Sequence, residues 1–186
     1  MNLTRKSLAT WVALASALTL ATACTNKQGE TEAPVYLTVD LTDQAGLTDI
    51  LPPRTLTIPS MTITSHLKNP GAPDTAGFAT VSVADYTVTY RRADGGTIVP
   101  PVQQFAVGQT VASNASLLLT DFPVLSQSDM AGRPFDQLLP FNGGIDQETG
   151  NTEIRMFYDV VFFGQTVSGF RVQSETATGL RVFVAQ

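Results

Sequence analysis

The chain has 186 residues, of which 16 are acidic and 11 basic, giving a formal net charge of −5. An acidic balance spread along the chain opposes nucleic-acid binding, which depends on clustered Lys and Arg against phosphates. The only cysteine is Cys24, so no intrachain disulfide can form and folding must rest on apolar burial and sheet hydrogen bonds.

Residues 1–23 have the layout of an export signal. Arg5 and Lys6 form a basic start, and an apolar run then leads to small residues just before Cys24. The run is shorter than the roughly 20 residues that a membrane-spanning helix needs. We therefore expect this segment to be removed, which leaves 163 residues with nine basic and 16 acidic side chains, a formal charge of −7.

The sequence Ala21-Thr22-Ala23-Cys24 resembles the lipobox of bacterial lipoproteins. The resemblance implies a diacylglycerol thioether on Cys24, cleavage just before it and acylation of the new amine. Ala21 stands where Leu is usual, and Leu20 lies one residue further out. Thr25 is not Asp, which by resemblance to enteric lipoproteins favours the outer membrane. An ordinary signal followed by an incidental cysteine is the alternative.

Beyond the signal we predict a tether over residues 24–34 and one domain over 35–186. The tether is polar and ends in Pro34, so it offers little that could pack. Residues 35–41 alternate apolar and polar side chains and predict the first strand. A loop containing Pro52-Pro53 follows. Residues 55–67 change phase at Pro59, which predicts an interrupted strand at a sheet edge.

Three further strands are predicted in the middle of the chain. Residues 78–92 alternate with a change of phase near Ala84-Asp85, and shorter runs follow over 105–111 and 115–122. Residues 125–151 lack clear periodicity and contain several Gly and Pro. A loop of this length is usually functional or contains a short element. Within it, residues 128–139 can form a helical turn that packs Phe135, Leu138 and Leu139 inward.

The chain closes with a predicted β-meander. In residues 153–163 every second side chain from Ile154 to Phe162 is apolar, and Phe157 and Phe163 lie on the opposite face with Arg155 and Asp159. We expect these two rings to lie beneath the 125–151 loop or to face a partner. Gly164-Gln165 predicts a hairpin turn. A second run carries Phe170 and Val172, and a third should turn toward the core the side chains of Leu180, Val182 and Val184.

About seven to nine short strands without long helices predict an all-β fold, an antiparallel two-sheet sandwich. The segments 86–95, 99–100 and 162–169 resemble uncharacterised secreted bacterial lipoproteins with immunoglobulin-like or fibronectin type III-like sandwiches. The resemblance covers most of the mature chain. It implies the fold and no activity, because sandwiches host many unrelated functions.

Residues that could carry chemistry are few. His66 is the only histidine. A zinc site at His66 would lack further His or Cys ligands, and no Gly-x-Ser-x-Gly motif supports serine catalysis with His66 as the base. The carboxylates to examine are Asp121, Asp136 and Asp159, and each is expected to be a turn cap or an exposed strand residue. Arg91 and Arg92 are expected to form solvated ion pairs. We predict no enzyme, no catalytic residue and no cofactor.

One loop leaves calcium binding open. Oxygen ligands of the kind Ca²⁺ prefers come from Asp146, Glu148, Asn151 and Glu153, and nearby glycines would let the backbone curl around an ion. The spacing does not match an EF-hand, and the same residues predict a simple turn, so no metal site is assigned. The turn is the preferred interpretation.

These observations predict a lipid-anchored protein of the bacterial cell envelope, with Cys24 as the lipid attachment site. We expect a non-catalytic structural, adhesion or interaction module that contacts the membrane through its anchor and an envelope or surface protein through its domain. The alternative is an accessory lipoprotein that binds a glycan or small solute through loops at one end. The only Trp, Trp11, lies in the signal, so no indole platform for sugar stacking remains.

Overall fold

The computed structural model describes residues 32–42, 45–71, 74 and 76–185. The predicted signal, Cys24 and most of the tether lie outside this part. From Ala33 onward the chain forms one compact unit. Its described strands are β1 Val35–Leu41, β2 Ala45–Asp49, β3 Leu56–Leu67, β4 Val81–Arg92, β5 Gln103–Val111, β6 Ser116–Leu125, β7 Glu153–Thr166, β8 Arg171–Gln173 and β9 Ala177–Val184.

The strands form two sheets, so the predicted all-β class is confirmed. A three-stranded sheet has the order β1-β3-β6. A six-stranded sheet has the order β2-β9-β7-β4-β5, with β8 paired to β7. Every pairing is antiparallel except that of β2 with β9. Strand β2 is a correction, since we predicted only loop between β1 and β3.

An aromatic cluster joins the two sheets at the centre of the core. The Tyr86 ring of β4 lies 3.9 Å from the Phe122 ring of β6 and 5.3 Å from the Phe162 ring of β7, centroid to centroid. The Tyr86 hydroxyl donates a hydrogen bond of 2.6 Å to the Pro123 carbonyl. Burial, with Tyr90 nearby, raises the pKa of this hydroxyl, so it remains a neutral donor. Aromatic rings from both sheets therefore pack against one another at this point of the core.

The predicted change of phase at Pro59 is confirmed, but β3 is not an edge strand. It lies between β1 and β6, and β1 pairs with it only from Met61 onward. At Pro59 the strand therefore has a neighbouring strand on one side only. Proline has no backbone N–H and is tolerated where one side of a strand is unpaired. The pairing strand β6 changes phase at the facing position, Asp121, whose φ is +50°. The two strands thus shift together.

The phase change predicted in β4 is also confirmed. Val81 and Val83 are buried, then Tyr86 and Val88 are buried in the other phase. Both pairings of β4 shift register between Val83 and Asp85. A bulge at this position keeps both halves of the strand facing the core.

The hairpin turn predicted at Gly164-Gln165 is wrong. Strand β7 continues to Thr166, and the chain turns at residues 167–169, where Gly169 has a φ of +92°. Gly164 is needed for a different reason. A Cβ on it would lie 2.6 Å from the Ser82 carbonyl oxygen on the neighbouring strand, so only glycine allows this close approach.

The predicted core face of the last strand is also wrong. In β9 the buried residues are Ala177, Gly179, Arg181 and Phe183, and the three predicted ones are only partly buried. Gly179 lies inward because the Tyr158 ring fills the space where a side chain would be. The strand therefore presents its glycine and arginine to the core and its Leu and Val residues to the outer face.

The long loop before β7 contains helix α1 Gln127–Met130 and two 3-10 turns, Phe135–Leu138 and Pro140–Asn142. Phe135 and Leu138 are buried, as predicted, and the Phe135 ring lies 4.4 Å from the Phe183 ring. Since Phe183 faces inward, this loop packs on the face of the larger sheet opposite Phe157 and Phe163. No helix in the described part of the chain is long and apolar enough to cross a membrane.

Candidate functional site

A buried ionic cluster lies where β4 ends. Arg92 continues the inward phase of Val88 and Tyr90, so its side chain points into the molecule and is only 1% exposed. The neighbouring Arg91 points outward, is 58% exposed and pairs with Asp159 at 2.7 Å. The expected solvated ion pair is therefore correct for Arg91 and wrong for Arg92.

Arg92 is held by two carboxylates and a carbonyl. Asp94 accepts two hydrogen bonds, from Nε at 2.7 Å and Nη2 at 2.9 Å. Asp146, whose side chain is 0% exposed, accepts from Nη2 at 2.6 Å. The Ile98 carbonyl accepts from Nη1 at 3.3 Å. Bidentate pairing with a carboxylate is a strong arrangement for a guanidinium. Arg92 therefore ties the segment that contains Asp94 and Ile98 to the turn that contains Asp146.

A third carboxylate, Glu148, completes what we call the Arg92 cluster: Arg92, Asp94, Asp146 and Glu148. Glu148 lies 3.6 Å from Arg92 Nη1, and its Oε2 accepts hydrogen bonds from the backbone N–H groups of Thr97 and Ile98 at 2.9 and 2.8 Å. Asp94 also accepts from the backbone N–H of Arg155 at 2.8 Å. The cluster thus joins residues 93–102, the turn at 146–150 and the start of β7.

The electrostatics of the cluster favour its charged form. Burial raises the pKa of Asp94, but hydrogen bonds from Arg92 and from backbone N–H groups outweigh this effect and hold the pKa below its usual value. At Asp146 burial acts in the same direction, and hydrogen bonds from Thr149 and Arg92 again lower the pKa overall. Hydrogen bonds from Thr97 and Ile98 lower the pKa of Glu148. All three are carboxylates at neutral pH.

The two loops that the cluster joins, residues 93–102 and 126–152, carry exposed apolar side chains; we call them the joined loops. Phe141 is 80% exposed, and the others are Val99, Val102 and Ile145. Inside the second loop, Ser126 caps α1 by accepting from the Asp129 N–H at 3.2 Å. The Gln137 side chain accepts from the Gln147 N–H at 2.9 Å. Internal hydrogen bonds therefore hold the apolar side chains outward on a defined backbone.

Comparisons with protein families, curated proteins and solved structures gave no match. The joined loops must therefore be interpreted from their own geometry.

The structure does not bring the other candidate residues together. His66 lies on the outer face of the small sheet, where its Nε2 is 2.9 Å from the Thr38 hydroxyl and its ring stacks on Tyr36. Asp121 lies at the phase change of β6 and Asp136 in a 3-10 turn. Asp159 pairs with Arg91 on the outer face of the larger sheet. These four residues lie on different elements and do not line a common cleft.

Sequence reasoning missed the role of Arg92, although the signal was available. The inward phase of β4 includes Tyr86, Val88 and Tyr90, and the next position in that phase is Arg92. A charge at an inward position requires partners from elsewhere in the chain. The acidic stretch around Asp146 predicts a turn, with metal binding as the less favoured alternative, and neither interpretation pairs its carboxylates with this arginine.

We expect calcium to leave the stability of the protein unchanged. The Arg92 guanidinium already lies 2.6 Å from Asp146, so a cation there would meet a charge of the same sign. Within the described residues no group of three acidic, His or Cys side chains is arranged to hold a metal. Thermal unfolding in calcium and in a chelator should give the same midpoint. A midpoint raised by calcium in the native protein would contradict this expectation.

Proposed function

We propose that this chain is a lipid-anchored, non-catalytic module of the bacterial cell envelope, with an immunoglobulin-like domain that binds a protein partner through the joined loops. The observation that carries the proposal is the Arg92 cluster, which holds two long loops with exposed apolar side chains at one end of the domain. Fixed loops of this kind bind with little loss of conformational entropy. Envelope location, by preference the outer membrane, follows from the lipobox resemblance at Cys24.

Strand order supports the immunoglobulin-like part of the proposal. The order β1-β3-β6 corresponds to strands A, B and E of a variable-type immunoglobulin sandwich, and β9-β7-β4-β5 corresponds to G, F, C and C′. Immunoglobulin domains have a buried aromatic residue on strand C at the centre of the core. Tyr86 of β4 has the corresponding position here and packs against Phe162 of β7. The parallel pair of β2 and β9 fits this assignment, since a first strand divided between the two sheets places its second half beside G.

Strand directions place the joined loops opposite the point where the chain enters the domain. Val35 pairs with Leu67 at the entry end, and β4 begins at the same end with Val81, after the connection formed by residues 68–80. Strand β4 ends at Arg92 and β7 begins at Glu153, both at the other end. An anchor at Cys24 would therefore present the joined loops away from the membrane, where a partner can reach them.

The anchor is tested by Cys24→Ala. We expect this variant to move from the membrane fraction to the soluble extracytoplasmic fraction, because it can carry no thioether-linked lipid. Thr25→Ala serves as the control and should stay with the membrane. If Cys24→Ala remains membrane-bound, the lipoprotein assignment is wrong.

The partner surface is tested by photo-cross-linking in intact cells. A photoreactive phenylalanine analogue replaces Phe141 in the joined loops or, as a control, the exposed Leu118 on the small sheet. We expect a discrete protein adduct from position 141 only, and its loss when Ile145→Asp is added. Equal adducts from both positions, or none from 141, would refute the proposed surface.

A second candidate function rests on a polar depression at the same end of the domain. It is lined by Ala93, Asp94, Asn151, Thr152, Glu153 and Arg155. Its backbone and side-chain donors and acceptors suit a glycan or small polar solute. A solute that raises the unfolding temperature, and no longer does so in Asn151→Ala, would favour this function over protein binding.

A further inference from the structure

Two exposed apolar side chains lie side by side at the entry end of the domain. Phe78 is 60% exposed and Val167 is 65% exposed. They are 89 residues apart in sequence, but hydrogen bonds hold their backbones together. The Ser168 N–H donates to the Phe78 carbonyl at 3.2 Å, and the Val167 N–H donates to the Thr80 carbonyl at 2.9 Å. We call this pair the entry-end pair.

The chain enters the domain at this same end. The Pro34 carbonyl accepts from the Lys68 N–H at 2.9 Å, so Pro34 lies next to the end of β3. Val81 faces Thr166 across the β4 and β7 ladder, which places Phe78 and Val167 just beyond that end of the strands. The entry-end pair and the start of the domain are therefore on one side of the molecule.

The length of the preceding segment limits how far this end can be from an anchored Cys24. Ala33, which is buried, comes nine positions after Cys24. A chain of this length spans at most about 30 Å when fully extended. The entry end therefore stays close to any membrane that holds the lipid on Cys24.

Charge at this end is compatible with a lipid surface. Lys68 and Arg171 are exposed, and cationic side chains are attracted to anionic headgroups. The Asp74 carboxylate is turned inward, where it accepts from the Ala79 N–H at 2.8 Å and from the Ser113 hydroxyl at 3.3 Å. Asp74 thus has its partners within the protein, whereas Glu32, just before the start of the domain, is exposed.

We propose that the entry-end pair inserts into the headgroup region of the bilayer that carries the Cys24 lipid and so sets the orientation of the domain. This inference rests on the proposed lipid anchor and adds a second, non-covalent contact to it. Aromatic and aliphatic side chains at a membrane interface bury apolar surface while the backbone behind them remains hydrated. The Phe78 and Val167 backbones are already fixed, so insertion orders no loop.

The test uses the full-length lipoprotein in vesicles of phosphatidylethanolamine and phosphatidylglycerol that contain a quencher-bearing lipid. Val167→Cys is labelled with a thiol-reactive fluorophore, and Phe141→Cys at the opposite end is the matched control. We expect quenching at position 167 to exceed that at 141 by at least about twofold, because only the former lies within the interface. Adding Phe78→Asp to Val167→Cys should reduce quenching to the control value. Equal quenching at 167 and 141 would overturn the membrane contact.

Labelling of the unsubstituted protein separates the two proposals. A thioether-linked Cys24 has no thiol, so the unsubstituted chain should take up no fluorophore. If it is labelled, the anchor is absent and the membrane contact falls with it. If it is unlabelled and position 167 is not quenched, the anchor stands and only the membrane contact is refuted.

Discussion

Arg92→Met will lower the free energy of unfolding by about 3–5 kcal/mol, since removal of one partner leaves buried charges uncompensated. Asp94 would lose two hydrogen bonds from the guanidinium and Asp146 one, all shorter than 3 Å, and the Asp146 side chain has no exposure to water. Met keeps most of the apolar stem of Arg, so the effect reports the lost charge. Denaturant unfolding of the soluble domain measures it.

Arg91→Met is the matched control for this prediction. Arg91 is the adjacent residue on the same strand, but it is mostly exposed and its pair with Asp159 lies on the outer face. Exposed pairs contribute little because water and salt screen them. If the two variants are destabilised equally, the Arg92 cluster does not stabilise the fold in the way described.

The native protein and Arg92→Met should differ in how their stability responds to acid. In the native protein the pKa values of Asp94 and Asp146 are lowered, so their contribution is complete above the ordinary carboxyl pKa of about 4 and is lost as pH falls further. In Arg92→Met burial acts without the guanidinium and raises these pKa values. The variant should therefore gain stability as pH falls from 7 toward 5, where the native protein does not.

Phe162→Ala will cost about 3–5 kcal/mol, the usual range for deletion of a buried aromatic ring. The Phe162 side chain is fully buried and contacts the Tyr86 and Phe122 rings, so its removal leaves a cavity between the sheets. Phe163→Ala is the control on the next residue, which points to the outer face and is only partly buried. Chemical denaturation should show the larger loss at 162. A loss at 163 as large as that at 162 would contradict the assigned faces of β7.

The features that the sequence predicts well are those governed by local alternation. The first strand, the phase change of β4 and the packing of Phe135 and Leu138 each follow from where apolar residues recur within a few positions. Burial of one face dictates this spacing without reference to the rest of the chain. The all-β class follows from the same signal.

The features that the sequence predicts poorly depend on a neighbour from elsewhere. Glycine favours turns, so Gly164 predicts a turn from the sequence alone, whereas in the structure a glycine is needed there because the Ser82 carbonyl of another strand lies too close for a side chain. The inner face of β9 was assigned from Leu and Val, whereas Tyr158 occupies the space over Gly179. Strand β2 exists through its pairing with β9. None of these partners can be read from a local window.

The candidate site was half predicted. The acidic turn around Asp146 and Glu148 was identified from composition, but its cation comes from Arg92, 54 residues earlier in the chain. The periodicity of β4 predicts that the Arg92 side chain points inward, but it does not predict which residues that side chain contacts. Long-range pairing of charges needs the fold, since many carboxylates in the sequence could have served.

The joint phase change of β3 and β6 limits how this protein can vary by insertion or deletion. Loss of one residue inside either regular half of β3 would reverse the facing of the side chains beyond it and move buried residues such as Met61 or Ile58 into water. Loss of one residue at the phase change itself would instead join the two apolar runs into one regular alternation, and a matching loss near Asp121 would keep β6 in step. We therefore expect homologues to tolerate length changes at these two positions, made together, and not within the halves on either side.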